Sequence, residues 1–236
     1  MHILALDSTS VTAAAAVTND ETTLAEARAN NGLTHSEILL PMVEEVLRDA
    51  GLTFSDIDLY AVTAGPGSFT GVRIGVATVK GLAFGRGKPC VGVSVMEALA
   101  EGLSPLPGIY VGVMDARRSQ VYCGIFTRRN GALLRLAPDR AISLAQLTEE
   151  LRAYGDAPIL LAGDGYDLAY RALTDAGLPN LAETPRALRT PSGGAIARCA
   201  YRAAQAGQTV SDADLRPVYL RLPQAERDLL AKSENA

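Results

Sequence analysis

The residues best placed to do chemistry lie in one glycine-rich stretch, Val62-Thr63-Ala64-Gly65-Pro66-Gly67-Ser68-Phe69-Thr70-Gly71-Val72-Arg73-Ile74-Gly75. A glycine turn between a strand and a helix start can aim backbone N–H groups at an anion, and the helix dipole favours negative charge there. The same glycines also make a tight, close-packed turn, so spacing alone leaves both uses open. The stretch is not a Walker loop, because no Gly-Lys-Ser/Thr follows at the needed spacing. Two aspartates, Asp7 and Asp115, each end a short apolar run. A carboxylate there could hold Mg²⁺ beside a phosphate if glycine two residues on let the backbone approach. Thr9 and Arg117 occupy those positions instead. A metal site needs clustered ligands. The only histidines, His2 and His35, are 35 − 2 = 33 residues apart, and Cys90, Cys123 and Cys199 offer no paired spacing. No metal is therefore expected, and His35 reads as a hydrogen-bonding residue at a helix start.

The elements that must position these groups follow from pattern and punctuation. Ile3–Asp7 reads as a strand, followed by a turn at Ser8-Thr9-Ser10. Val11–Val17 is ambiguous, since its four consecutive alanines favour helix; its short length and bracketing turn residues favour a strand. A helix capped near Thr34 or Ser36 should run to about Gly51, with Pro41 bending it or marking its regular start. The strand Leu59–Thr63 enters the glycine stretch, and a helix from Phe69 to Phe84 leaves it. A short strand at Val91–Val93 and a short helix at Val95–Glu101 complete the first half. Leu103-Ser104-Pro105-Leu106-Pro107-Gly108 is the best boundary, because two prolines and a glycine fit neither regular structure.

Beyond that boundary the plan restarts. Strands are expected at Ile109–Met114 and Val121–Phe126, a helix at Leu144–Tyr154, a strand at Ile159–Leu161, then Ala162-Gly163-Asp164-Gly165 and a helix from Tyr166. The aspartates stand 115 − 7 = 108 residues apart and the first glycines of the two turns 163 − 65 = 98 apart, so the second copy has a shorter loop or helix. Thr190-Pro191 reads as the cap and first residue of a last helix, which discounts Ser192-Gly193-Gly194 as an adenosine-binding turn. Tandem α/β units with a leading hairpin suggest two actin-like, ribonuclease-H-like lobes, the second reduced. The expected division is 1–103, 104–224 and a polar tail, 225–236.

A hydrophobic fraction of 48% is ordinary for a globular chain of 236 residues. No apolar run approaches the roughly 20 residues of a membrane helix, and an odd number of scattered cysteines favours a reducing compartment. A soluble, cytoplasmic protein is expected. A net charge of −4 argues against gripping nucleic acid alone; Arg117-Arg118 with Arg128-Arg129 reads as solvated hairpin charge.

Both first-lobe helices carry much apolar surface. In Ser36–Ala50 the apolar residues span an arc of roughly 200°, where an ordinary surface helix shows a stripe a little over about 100° wide. From Phe69 to Phe84 the only charges are Arg73 and Lys80. Helices of this kind are buried on more than one side, and Gly71 and Gly75 would let another backbone approach. The expectation is a partner on this face, since soluble monomers rarely tolerate so large a patch.

The wording of several segments resembles the bacterial TsaB (YeaZ) family, required for making threonylcarbamoyladenosine in tRNA. The segments are Leu4-Ala5-Leu6-Asp7-Ser8-Thr9, His35-Ser36-Glu37 with Leu40-Pro41-Met42, the loop Gly65 to Gly75, and Met114-Asp115-Ala116-Arg117. From Asn130 onward the likeness rests on layout. The resemblance implies a non-catalytic partner subunit that docks on the catalytic paralogue TsaD and helps recruit the ATPase TsaE. It also implies self-association as a homodimer when the paralogue is absent, with tRNA met only through the complex. It maps the partner surface onto His35, Leu39, Met42, Val43, Val46, Phe69, Val72, Arg73, Gly75, Val76 and Lys80. Asp7, Gly65, Gly67, Asp115 and Arg117 are left as vestigial nucleotide or interface contacts, with no resident cofactor expected beyond a nucleotide at the partner interface. Where TsaD carries paired histidines this sequence has Val95-Met96-Glu97-Ala98, which weighs against a metalloglycoprotease. The other alternative is an actin-like ATPase or small-molecule kinase, against which Thr9 and Arg117 count.

Overall fold

The structure, a computed structural model, describes residues 1–117 and 119–221. Arg118 and the 225–236 tail fall outside the described residues. Three strands open the chain, β1 (His2–Asp7), β2 (Ala13–Asn19) and β3 (Thr22–Ala29), followed by α1 (His35–Asp49), β4 (Leu59–Gly65), α2 (Phe69–Ala83), β5 (Cys90–Ser94) and α3 (Val95–Leu103). The second half repeats the series as β6 (Ile109–Asp115), β7 (Gln120–Arg129), β8 (Ala132–Ser143), α4 (Leu144–Arg152), β9 (Ile159–Ala162), α5 (Tyr166–Asp175), β10 (Leu181–Ala182) and α6 (Gly193–Gln205).

Strand order is β3-β2-β1-β4-β5 in one sheet and, read the same way, β8-β7-β6-β9-β10 in the other. In each, a three-stranded antiparallel meander is extended by parallel strands. These are two actin-like lobes, and the second is the reduced one: α4 has 9 residues against 15 in α1, and α5 has 10 against 15 in α2. The alanines of β2 are strand because β1 and β3 pair with it on both sides; tertiary pairing overrides their helix propensity. Helix starts follow their caps. Thr34 and Glu37 form a reciprocal capping box on α1, and Ser68, Ser94, Ser143 and Ser192 accept first-turn N–H groups of α2, α3, α4 and α6. The cap of α6 is thus Ser192, two residues beyond the expected Thr190.

The two halves are not separate in packing. Helix α3, which ends the first repeat, lies on the second sheet: Val95, Met96, Leu99 and Leu103 share a core with Tyr110, Met114, Phe126 and Leu160. Helix α6, which ends the second repeat, returns to the first sheet, where Ile196, Ala197 and Ala200 pack on Ile3, Ala5, Leu59 and Val91. A division at residue 104 follows chain order, but the last helix placed in the 104–224 unit physically belongs to the first sheet. The prolines stop a helix there; they say nothing about which sheet it covers.

The exchanged helices are pinned by a buried ion cluster. Glu101 of α3, only 2% exposed, accepts from Arg198 Nε and Arg202 Nη2 of α6, both at 2.9 Å, with Arg128 of β7 at 3.9 Å. The rest of the core is mainly apolar apart from Asp7 and several hydroxyl side chains, and Cys90, Cys123 and Cys199 are buried. Burial pushes the first two thiols up to about 11 and Cys199 well above its ordinary value, so all three are thiols at neutral pH and poor nucleophiles. Removing the carboxylate of a buried pair strands its cations, at a cost of roughly 3–5 kcal/mol. Glu101→Ala is expected near the lower figure, because the arginines keep about a third of their side-chain surface in water. Thermal unfolding of that variant, against Glu21→Ala, whose exposed carboxylate lies 3.9 Å from Arg202, measures it: a large loss for Glu101 and almost none for Glu21.

Candidate functional site

The front of the first lobe is built by the ends of β1 and β4 and the start of α2. Asp7 ends β1 and is fully buried, accepting from the Thr9 N–H (3.2 Å), the Thr9 hydroxyl (2.7 Å) and the Thr63 hydroxyl. Its Oδ2 has no hydrogen-bond partner among the described residues. Burial raises its pKa above the usual carboxylate value, and the threonine donors offset only part of that. The glycine loop closes over it: the Ser68 N–H donates to Thr9 O at 2.8 Å, and a Cβ on Gly67 would stand 2.8 Å from Thr9.

The glycines serve the chain's own packing. A Cβ on Gly71 would lie 1.9 Å from Ser8 O, and one on Gly75 2.5 Å from Ser8 Oγ, so α2 can sit on the β1 turn only without side chains there. The Ser8 hydroxyl then donates to Gly71 O at 2.8 Å. Gly65, at φ +125°, is crossed by Val218, whose carbonyl would be 2.3 Å from an added Cβ. The close approach expected at Gly71 and Gly75 from a partner is thus made within this chain, by the Ser8 carbonyl at Gly71 and the Ser8 side chain at Gly75, and Gly65 is covered by Val218. Ser192-Gly193-Gly194 is closed too. Gly193 lies against Ala15 and Ala16, and the Gly194 N–H points at the Glu26 carboxylate, 3.4 Å away. An actin-like kinase would hold its nucleotide near these positions; here Ser8, Thr9 and Val218 pack against the glycines, while Gly67 and Ser68 still border a cavity of about 260 Å³ together with Asp115, Arg117 and Asp164.

The expected partner surface is largely corrected as well. Leu39, Met42, Val43, Val46, Val72 and Val76 are 0–6% exposed and face their own sheet in the first core. Each contributes roughly 1.5–3 kcal/mol of burial free energy within one copy. The outer face of α1 is mostly charged, carrying Glu37, Glu44, Glu45, Arg48 and Asp49 around Leu40 and Pro41. The Lys80 ammonium donates to the carbonyls of Ala213 (3.0 Å) and Leu215 (3.2 Å). Arg73 and Phe69 meet Tyr219. The charged line of α2 is thus flanked by the chain's own C-terminal segment. His35 is half-buried, with Nε2 2.6 Å from Ser10 O.

What remains open on α2 is a different stripe. Thr70, Ile74, Ala77, Gly81 and Phe84 recur at alternating four- and three-residue steps, exposed except for half-buried Ile74, and Phe84 is 75% exposed. None is charged, and a side chain on Gly81 would meet nothing within 4 Å. Sequence reasoning missed this stripe because it weighed the larger residues of the opposite face. The signal was present as a seven-residue repeat of uncharged residues.

Beside the α2 start runs a groove of about 560 Å³ bordered by Val11, Leu33, His35, Thr70, Arg117 and Asp164. Asp115 borders the neighbouring cavity of about 260 Å³ with Gly67, Arg117, Tyr122 and Asp164. Its carboxylate accepts the Arg117 N–H at 2.7 Å and one guanidinium nitrogen at 3.2 Å, folding the loop onto itself with Arg117 at φ +65°. Asp164 opens on the groove but has protein on its other sides. Desolvation raises its pKa and Asp115 adds to the rise, while the hydrogen bond from the Asp115 N–H at 3.1 Å opposes it. Among the described residues no three or more His, Cys, Asp or Glu side chains converge as a metal site.

Asp7 yields a pH test. Its folded pKa lies above the unfolded value of 3.8, so the stability it contributes is greatest at low pH and is lost as pH rises from 3.8 through the folded pKa. Asp7→Asn keeps an oxygen for the threonine donors and removes the charge. Its melting temperature is expected to match or exceed that of the parent at neutral pH, with a flatter profile between that range and pH 4. A steep loss at neutral pH would show that the ionised form is needed.

Against this geometry the relatives are consistent. The chain matches the sequence model of TsaD, tRNA N6-adenosine threonylcarbamoyltransferase, over residues 29–228. It is 35% identical over 175 residues to the tRNA threonylcarbamoyladenosine biosynthesis protein TsaB of Bacillus subtilis, covering 74% of this chain and 76% of that one. To TsaB of Escherichia coli it is 29% identical over 98% of this chain and 100% of the relative. The solved structure of YeaZ from Pseudomonas aeruginosa superposes with a TM-score of 0.80 at 27% identity, covering 93% and 99% of the two chains. A shared fold with TsaD and full-length likeness to TsaB place the chain in the TsaB (YeaZ) family of tRNA threonylcarbamoyladenosine biosynthesis proteins.

Proposed function

We propose that this chain is the non-catalytic docking subunit of the threonylcarbamoyl-transfer assembly, seating the outer stripe of α2 on its catalytic TsaD-type paralogue and helping to bring the TsaE ATPase to the pair. The observation that carries the reading is the uncharged seam Thr70–Ile74–Ala77–Gly81–Phe84, with small Ala77 and Gly81 at its centre, on the solvent side of an otherwise well-covered helix. Steps of four and three residues match a helix-on-helix contact, and small side chains let two backbones come close. A non-catalytic role is supported by the enclosure of Asp7 and by the packing of Ser8, Thr9 and Val218 against the glycines of the first lobe. When the paralogue is absent, the same seam would pair two copies of this chain.

Two substitutions separate docking from folding. Gly81→Glu points into solvent and is expected to leave the melting temperature nearly unchanged while abolishing binding to the paralogue in a calorimetric titration. Val76→Asp, inside the core, is expected to unfold the lobe and so says nothing about docking. Unchanged affinity with Gly81→Glu would remove the seam from the interface. The lone chain is also expected to turn over no ATP in the presence of Mg²⁺, while tRNA modification reconstituted with the paralogue, TsaE and the carbamoyl-adenylate-forming enzyme should require it. Steady ATP hydrolysis by the purified chain would favour the ATPase reading instead.

A further inference from the structure

Residues 211–221, with no helix or strand of their own, run as a strap along one flank of α2 and deliver an aromatic ring to its first turns. The strap is anchored before that point. Cys90 and Val210 exchange two backbone bonds (2.8 and 2.9 Å), Leu215 is buried in the first core, and the Val218 N–H donates to Ala64 O at 2.7 Å. Tyr219 then lies 4.9 Å from the Phe69 ring, centroid to centroid. The Arg73 guanidinium sits 3.9 Å over Phe69, and its Nε donates to the Tyr219 hydroxyl at 2.9 Å. Each of the three groups restricts the others' rotamers.

Among the described residues no carboxylate pairs with the cluster. An arginine offers five N–H donors in a planar fork, and among the described residues only Nε of Arg73 is hydrogen-bonded. Arg73 is exposed, and beside it Val218 and Tyr219 are 51% and 40% exposed. Pre-ordered aromatic and arginine groups are the residues that concentrate binding energy, because little rotamer freedom is left to lose. A carboxylate fits the open fork far better than a neutral acceptor does.

We propose that Phe69, Arg73 and Tyr219 anchor the docking face, and that the paralogue seats a carboxylate on the Arg73 fork with apolar side chains against Val218 and Tyr219. The occupant's chemistry follows from the face itself: a neutral seam edged by a cation that no described carboxylate pairs calls for an apolar surface bearing one acid. This assignment rests on the docking reading above and adds the strap to it.

The test is calorimetric titration of the full-length chain with the paralogue. Arg73→Gln is expected to weaken binding about tenfold or more and to remove most of its salt dependence. Arg73→Lys should recover little, because an ammonium cannot fork; Tyr219→Phe should lose a few-fold at most. Tyr219→Ala should approach Arg73→Gln, and the double variant should lose less than the product of the two. If Arg73→Gln and Tyr219→Ala both bind within about twofold of the parent while Gly81→Glu does not bind, docking stands and the anchor is wrong. If Gly81→Glu also binds normally, the docking reading falls and the anchor with it. Arg73→Gln weakening only self-association, with paralogue binding intact, would make a second copy the occupant and overturn the assignment.

Discussion

The structure depends on an exchange of helices between two similar sheets. Each repeat ends in a helix that its own sheet does not keep: α3 covers the second sheet, α6 covers the first, and the two pack against each other. The buried carboxylate of Glu101 holds this crossing, satisfied by Arg198 and Arg202 of the opposite helix and approached by Arg128 of the second sheet. A charge so enclosed persists only where its partners are fixed, so the cluster favours one disposition of the lobes. The front and the strap are built on that frame.

At the front, the same economy of space appears in the glycines. A strand–glycine–helix turn has two physical uses, to expose N–H groups to an anion or to let two backbones touch. Here Ser8, Thr9 and Val218 take the space, and Asp7 is sealed behind them. Beyond that packing, uncharged exposed surface lies on the outside of α2. That surface is small and uncharged, bounded on one flank by the strap, while the outer face of the neighbouring α1 is mostly acidic and ordinary.

Much of the fold was legible in advance. The helix starts near Thr34, Phe69 and Leu144 could be placed from local pattern, and the paired aspartates and paired glycine turns announced the tandem repeat. Resemblance in the Gly65–Gly75 loop pointed to the family. The partner surface was much less legible. A helical projection shows which residues are apolar; it cannot show how wide a sheet lies beneath them. Leu39, Val46, Val72 and Val76 looked like surplus and are core.

What the sequence determined by itself is local and periodic: strands by apolar runs between turn residues, helices by caps and spacing, and the order in which they recur. Tertiary structure alone decided which lobe each final helix covers, which glycines approach backbone, and what flanks the charged line of α2. The physical reason is separation along the chain. Lys80 meets the carbonyl of Leu215 across 135 residues, and Arg73 meets Tyr219 across 146. Contacts of that range leave no periodic trace in either segment, because each partner is one residue in an otherwise unremarked stretch, and only the folded path brings them together.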